Sequence, residues 1–212
     1  GWNFEWAKLL FGDLEGRQYG MGYGGLIVAS SFLFIFTQGI AARGAINGDV
    51  LLTSYLKKSA TGTYTYDVVL NLQKLNGEFI KKDFLLNTDG KKAEHGFVSM
   101  VSNSKGGFYV TWLDGRNTVE KNNKGHHKPM TIRFAEITKS GEIVNESELD
   151  GSTCDCCQTS ITNTKNGPVV VYRDRSDAEI RDIYITRNTN GHWSTPKAVH
   201  NDNWKINGCP VN

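Results

Sequence analysis

The sequence lacks an excess of either charge sign: 24 Lys and Arg residues stand against 22 Asp and Glu residues, a net charge of +2. Nucleic-acid-binding domains usually carry a clustered basic excess, so this balance excludes the electrostatic footprint of a nucleic-acid site. With 39% hydrophobic and 22% charged residues, the composition is not that of a disordered chain. We therefore expect a folded protein with no nucleic-acid partner.

One stretch lacks charge altogether, because no Asp, Glu, Lys or Arg occurs in residues 18–42, between Arg17 and Arg43. About 20 apolar residues span a bilayer, and this stretch is long enough. We predict a transmembrane helix over residues 23–46, preceded by an amphipathic interfacial leader over residues 1–22 whose Trp and Phe side chains suit the headgroup region. Two buried strands, at residues 26–29 and 32–36, remain the alternative.

After residue 47 the sequence lacks any evident amphipathic helix. Short runs rich in Val, Ile, Tyr, Phe and Thr alternate instead with Asn-Gly, Asp-Gly and Ser-Gly pairs, which favour tight turns. The predicted strands include residues 50–56, 64–72, 97–101, 108–113, 130–136, 169–172 and 183–186. The body, residues 47–212, is therefore predicted to be all-β.

The predicted strands recur in a fixed order. Gly107, Trp112 and Asp114 reappear 60 positions later as Gly167, Tyr172 and Asp174, and residues 49–56 resemble an earlier copy. A second series follows each copy, at residues 66–70, 130–134 and 181–185. A repeat of about 50–60 residues with about four strands is typical of a β-propeller blade. The body then holds about three blades.

Several motifs resemble those of a known family. They are residues 62–67, Glu94-His-Gly-Phe, Trp112-Leu-Asp-Gly-Arg, Cys154-Asp-Cys-Cys-Gln-Thr, Tyr172-Arg-Asp-Arg-Ser, Ile180-Arg-Asp-Ile and residues 204–212. In this order they resemble the bacterial sialidase-like (BNR-type) β-propeller proteins with a Cys-Asp-Cys-Cys signature. The resemblance covers residues 47–212 and implies a six-bladed propeller, usually exported, of which this chain is expected to carry only part.

In a propeller the first strand of each blade lines the central channel, so Glu94 and His95 are expected near its axis. Sialidases hold the sugar carboxylate with arginines, because a guanidinium group binds it bidentately. The resemblance therefore implies a site with the following residues. The candidate catalytic residues are Asp114, Asp174, Glu94 and His95, and the candidate substrate-binding residues are Arg116, Arg173, Arg175 and Arg181. Alternatively, these arginines form ion pairs that hold neighbouring blades together.

The four cysteines allow two chemistries. Cys154, Cys156, Cys157 and Cys209 can form two disulfides, which an exported protein favours, or they can supply thiolates to a metal ion. The Cys-x-Cys-Cys spacing differs from that of a zinc knuckle. No other cofactor is predicted.

The motifs leave two functions open. The sequence lacks an Arg-Ile-Pro motif and a complete Asp box, which favours an exported, membrane-tethered propeller that serves as a scaffold or binding subunit of a membrane-protein complex. Such a subunit would lie on the periplasmic or cell-surface side of a bacterial membrane, anchored by its N-terminal segment. The alternative is a sialidase-like glycoside hydrolase acting on anionic glycans.

Overall fold

The computed structural model describes residues 43–62, 64–121 and 125–208. All the regular secondary structure within these ranges is β-strand, which confirms the predicted all-β class. The predicted leader (residues 1–22) lies outside the described residues, and so does the predicted span (residues 23–46) up to residue 42. The last residues of that span begin a strand at Arg43. The described ranges contain no helix that is long and apolar enough to cross a membrane.

Thirteen strands form three antiparallel sheets within the described ranges. Sheet I contains β1 (Arg43–Asn47), β2 (Val50–Lys58), β3 (Tyr66–Lys74) and β4 (Phe79–Leu85). Sheet II contains β5 (His95–Ser102), β6 (Phe108–Asp114), β7 (Met130–Ile137) and β8 (Ile143–Thr153). Sheet III contains β9 (Ser160–Thr164), β10 (Gly167–Arg173), β11 (Ile183–Thr189) and β12 (His192–Trp193), with β13 (Lys197–Ala198) beside β11. Within each sheet the successive strands are neighbours, except that β13 pairs with β11, and none of the sheets closes on itself.

Local turn chemistry explains why consecutive strands pair. At the tip between β11 and β12, Asn190 and Gly191 both have positive φ angles, of 53° and 87°. A two-residue hairpin turn of this kind requires positive φ at both central positions, which Asn and Gly tolerate best. The Asn-Gly pair therefore determines where this hairpin reverses.

The core lies on both faces of sheet II. On strand β6, Phe108, Val110 and Trp112 pack toward sheet I, whereas Tyr109 and Leu113 pack toward sheet III. This alternation follows from the two-residue period of a strand. Sheet II is thus buried between the other two sheets, and its first and second strands carry the best-defined candidate site residues at their ends.

Candidate functional site

The site begins where β5 starts and β6 ends. His95 pairs with Asp114 in the register of these strands, and the Gly115 amide donates a hydrogen bond of 2.8 Å to the carbonyl oxygen of Glu94. A Cβ atom on Gly115 would lie only 2.6 Å from that oxygen, so this close approach requires glycine. The Asp-Gly-Arg sequence after β6 therefore brings Glu94, His95, Asp114 and Arg116 together.

Asp114 is a fully buried carboxylate held by four donors. Arg116 donates from Nε to Oδ1 and from Nη2 to Oδ2, each at 2.8 Å, and its amide donates to Oδ1 at 2.9 Å. The fourth donor is the Trp112 indole, 2.9 Å from Oδ2. Burial raises the pKa of Asp114, but the Arg116 hydrogen bonds and the nearby His95 outweigh it, and the pKa lies below its usual value.

His95 is also fully buried, and its ring nitrogens have different environments. Nδ1 lies 2.8 Å from the Tyr66 carbonyl oxygen, which can only accept, so Nδ1 carries the proton. Nε2 has no hydrogen-bond partner and faces Asp89 Oδ1 at 3.4 Å and Asp114 Oδ1 at 3.6 Å. The ring is thus fixed between two carboxylates, directly after Glu94 in the chain.

The Asp89, His95 and Asp114 side chains have ligand atoms within 4.8 Å of one another, a spacing that a metal ion could use. A carboxylate offers about four lone-pair sites, and the four donors to Asp114 occupy all of them. The Arg116 guanidinium adds a positive charge beside the same carboxylate. Asp114 is therefore a poor metal ligand, and the group fits a structural role better.

Glu94 has the opposite environment to Asp114. Its half-buried carboxyl has a pKa raised to about 7, first by burial and then by the negative charge of Asp155, while His95 acts in the lowering direction. Asp155 belongs to the segment before β9, and Thr159 holds that segment against β5 by donating to the Phe97 carbonyl oxygen at 2.7 Å. We call Glu94 and Asp155 the carboxyl pair.

Arg175 links the carboxyl pair to sheet III. Its Nη1 lies 2.8 Å from Asp155 Oδ2, and its Nη2 lies 2.8 Å from Glu179 Oε1. Arg181, which is buried, donates from Nη2 to Glu179 Oε2 at 2.7 Å and from Nη1 to Cys154 Sγ at 3.4 Å. These contacts form one network that runs from Asp155 to Cys154, and the charge of Asp155 acts on Glu94.

The remaining candidate residues, Arg173 and Asp174, lie where β10 of sheet III ends. Arg173 donates to the Arg181 carbonyl oxygen at 2.7 Å and stacks over Trp204, with its guanidinium carbon 4.6 Å from the ring centre. Asp174 is buried, and burial together with the charges of Asp150 and Asp182 raises its pKa to about 6, against the Arg175 amide. No contact joins Asp174 to the carboxyl pair directly.

Three cysteines cluster in the segment after β8. Cys154 and Cys157 are buried, and their Sγ atoms lie 2.7 Å apart. Cys156, whose Sγ lies 3.9 Å from that of Cys154, is disulfide-bonded. The three sulfurs have the spacing of a metal site, but Cys156 could serve as a ligand only after its disulfide was reduced. Cys209 lies outside the described residues.

The structure adds three carboxylates that the sequence motifs did not single out, namely Asp89, Asp155 and Glu179. Glu179 had a signal, since it lies four positions after Arg175 and two before Arg181. Asp155 lies inside the Cys-Asp-Cys-Cys motif, but its proximity to Glu94 depends on the packing of sheet III against β5. Nothing in the sequence marks Asp89.

No family model matches this chain, and no curated protein matches it. Among solved structures, one match is a thermostable family-43 glycoside hydrolase, with a TM-score of 0.40 and 11% identity over 68% of this chain and 49% of the other. A second is a glycosyl hydrolase from Bacteroides ovatus, with a TM-score of 0.46 and 10% identity over 77% of this chain and 50% of the other. The chain spans about half the length of these solved structures.

Proposed function

We propose that this chain is part of a glycoside hydrolase in which Glu94 protonates the glycosidic oxygen of an anionic glycan. One observation carries the proposal: the carboxyl pKa of Glu94 is raised to about 7 by burial and by the negative charge of a second carboxylate, Asp155. Glycosidases use such a pair, in which one carboxyl stays protonated to act as the acid and the other acts as base or nucleophile. In this assignment Asp155 takes the second role.

The arginines support an anionic substrate in this proposal. Arg175 contacts Asp155, and its side chain is 27% exposed, so a ligand carboxylate could reach it beside the carboxyl pair. The Arg181 side chain is only 4% exposed and forms an ion pair with Glu179. We assign Arg175 to substrate contact, and Arg181 to holding Glu179 in place.

The wider architecture is part of the same proposal. Each of the three sheets is an antiparallel meander, and each corresponds to one copy of the sequence repeat. We infer that they are three neighbouring blades of a sialidase-like, six-bladed β-propeller, with Glu94 and Asp155 near its axis. Strands β5 and β9 are then the inner strands of two adjacent blades.

A specific observation favours a second candidate, the non-catalytic scaffold or binding subunit. Arg116, Arg175 and Arg181 each already contact a carboxylate of this chain. Arginines that are engaged in such ion pairs hold strands and loops together and have fewer donors left to bind a ligand. In this second candidate the carboxyl pair has a structural role, and the protein catalyses no glycoside hydrolysis.

A glycosidase assay on the full-length protein separates the two candidates. We expect hydrolysis of at least one member of a panel of fluorogenic aryl glycosides of anionic sugars, sialosides included. Glu94→Gln should lower kcat by about 10²–10⁴-fold, because it removes the proton donor. Activity of the unaltered protein should fall as the pH rises through about 7, the pKa of Glu94, since only the protonated form donates.

The controls make the assay decisive. A glycoside with a strongly acidic leaving group needs no protonation, so Glu94→Gln should retain activity on it. Glu142→Gln, in the exposed turn between β7 and β8, should behave as the unaltered protein. Absence of turnover on the whole panel would favour the scaffold subunit, whereas equal loss on both leaving groups would contradict the role of Glu94 as proton donor.

A further inference from the structure

A cavity of about 340 Å³ lies between sheets II and III, away from the carboxyl pair. Tyr109, near the start of β6, lines the cavity, whereas Asp114 ends the same strand five residues later. The two residues are therefore about 17 Å apart along an extended strand. Small-molecule sites have volumes of about 300–1,000 Å³ and combine aromatic walls with a few polar groups. This cavity has the volume of such a site, and the proposed function does not use it.

Aromatic rings form one wall of the cavity. They are Tyr109 of β6, Phe134 of β7 and Trp193 of β12. The Phe134 ring contacts both others, with its centre 5.5 Å from that of Tyr109 and 4.8 Å from that of Trp193. Tyr109 and Trp193 are only partly buried, so ring surface on both is available to a ligand. The face of an aromatic ring is partly negative and attracts C–H groups, which are partly positive.

A bulge in strand β8 places polar side chains beside these rings. Phe134 pairs with Ser147, but Glu136 pairs with Val144, so β8 contains one extra residue between these two pairs. Asn145, within the bulge, has a positive φ angle of 55°. Bulges change the direction of side chains and are frequent beside binding sites. The bulge therefore gives the cavity a polar side opposite its aromatic wall.

The Ser147 hydroxyl lies in this cavity without a partner. Ser147 is one of the lining residues, and it projects to the same side of sheet II as Phe134, because residues paired across two strands share a face. Its Oγ atom is buried and has no hydrogen-bond partner in the part of the chain that the structure describes. A buried hydroxyl without a partner costs free energy, which a bound polar group would recover. The cavity thus contains a built hydrogen-bonding position for a ligand.

The charged groups of the cavity are already paired within the protein. Glu136 is 6% exposed, and it accepts from Lys105 Nζ at 3.1 Å and from Asn145 Nδ2 at 3.2 Å. Glu146 also lines the cavity, but its carboxylate lies 2.9 Å from the Arg133 guanidinium. An ionic ligand would have to compete with these pairs, whereas a neutral ligand leaves them intact. The electrostatics therefore favour a neutral, hydrogen-bonding ligand.

We propose that this cavity binds a neutral saccharide, with a sugar ring against Trp193 and Tyr109 and a sugar hydroxyl bonded to Ser147 Oγ. A sugar ring has C–H groups on its faces and hydroxyl groups around its edge. The first suit the aromatic wall, and the second suit the polar side of the cavity. The proposal stands whether the carboxyl pair is catalytic or structural, because the two sites share no residue.

The test is isothermal titration calorimetry of the full-length protein with lactose, maltose, cellobiose and xylobiose. At least one of these neutral disaccharides should bind. Trp193→Ala should raise its Kd about tenfold or more, because the substitution removes a ring that contacts the sugar, whereas Trp193→Phe should retain most of the affinity. Glu94→Gln should bind the same disaccharide as tightly as the unaltered protein, since it changes only the carboxyl pair.

Ser147→Ala separates binding from folding. It should raise the Kd about tenfold, yet the urea midpoint of unfolding should stay the same or rise, because the substitution removes a buried hydroxyl that lacks a partner. Ser54→Ala is the matched control, since Ser54 Oγ in sheet I is also buried without a partner in the described ranges, and this variant should keep the Kd. The proposal is overturned if none of the disaccharides binds, if Trp193→Ala and Ser147→Ala bind like the unaltered protein, or if Glu94→Gln abolishes binding.

Discussion

Two acidic side chains at the start of β5 and the end of β6 illustrate how neighbours determine charge state. Asp114 is fully buried but has Arg116 and Trp112 as donors, and its pKa is lowered. Glu94 is half-buried, and its pKa is raised to about 7 first by that burial and then by the negative charge of Asp155. Hydrogen-bond donors therefore outweigh burial at Asp114, whereas burial dominates at Glu94.

The Asp114–Arg116 pair gives a direct stability prediction. Arg116→Met should lower the free energy of unfolding by about 3–5 kcal/mol, because it leaves a buried carboxylate without its counter-charge. Adding Asp114→Asn in the same chain should recover part of that loss, since an amide needs no counter-charge. Urea unfolding at neutral pH measures both variants.

The matched control is Lys74→Met, which breaks an exposed ion pair with Glu78. Solvent screens an exposed ion pair, so it contributes little to stability, and this variant should unfold close to the unaltered protein. If Arg116→Met were as mild as Lys74→Met, the buried pair would not have the structural role assigned to it here.

The sequence predicts only part of the candidate site at this scale. Asp114 and Arg116 are two positions apart, so their pairing follows from one turn. Glu94 and Asp155 lie far apart in the chain, and the charge of Asp155 acts on Glu94 in a fold where Thr159 donates to the Phe97 carbonyl oxygen between sheets III and II. That contact depends on how the sheets pack, which strand patterns do not encode.

At the scale of single strands, prediction succeeds for the buried, apolar strands and fails for the exposed edge strand β4. The predicted strands at residues 108–113 and 130–136 correspond to β6 and β7, whose residues are mostly buried. Strand β4 (Phe79–Leu85) was missed because it is mostly exposed and carries two lysines and an aspartate. Strand β3 begins at Tyr66, two residues later than predicted, because Tyr64 lies in a turn.

The turn after β6 gives a prediction at this scale. Gly115→Ala should lower the free energy of unfolding by about 1–3 kcal/mol, because the new Cβ would meet the Glu94 carbonyl oxygen at 2.6 Å and backbone must move. Thermal or urea unfolding provides the measurement. Gly151→Ala in β8 is the control, since its nearest contact is a side-chain oxygen of Glu148 at 3.6 Å, and it should change stability by less than about 0.5 kcal/mol. Equal effects of the two substitutions would contradict the close approach.

For the described part of the molecule, the dominant feature is a middle sheet that is buried on both faces. Sheet II contributes Trp112 to one hydrophobic cluster and Leu113 to the other, so its strands separate two cores. The repeat in the sequence predicted the succession of similar sheets, because each copy supplies the same strands in the same order. It could not predict which carboxylates of neighbouring sheets would meet.

This arrangement predicts the distribution of local stability. Amide hydrogens of β6 and β7 should exchange slowest, at rates set by global unfolding, whereas those of the exposed strand β4 should exchange about 100-fold faster or more. Hydrogen–deuterium exchange with mass spectrometry resolves these strands. Faster exchange in β6 than in β4 would show that sheet II is not the centre of the stable core.

The most direct test of the account is the titration of Glu94 itself, followed by carboxyl ¹³C NMR and assigned by comparison with Glu94→Gln. We predict an apparent pKa of about 7 for this carboxyl. In Asp155→Asn the pKa should fall but stay above its usual value, because burial contributes more than the Asp155 charge. A Glu94 pKa near 4.5 in the unaltered protein would contradict the assignment of Glu94 as a proton donor, and with it the proposed function.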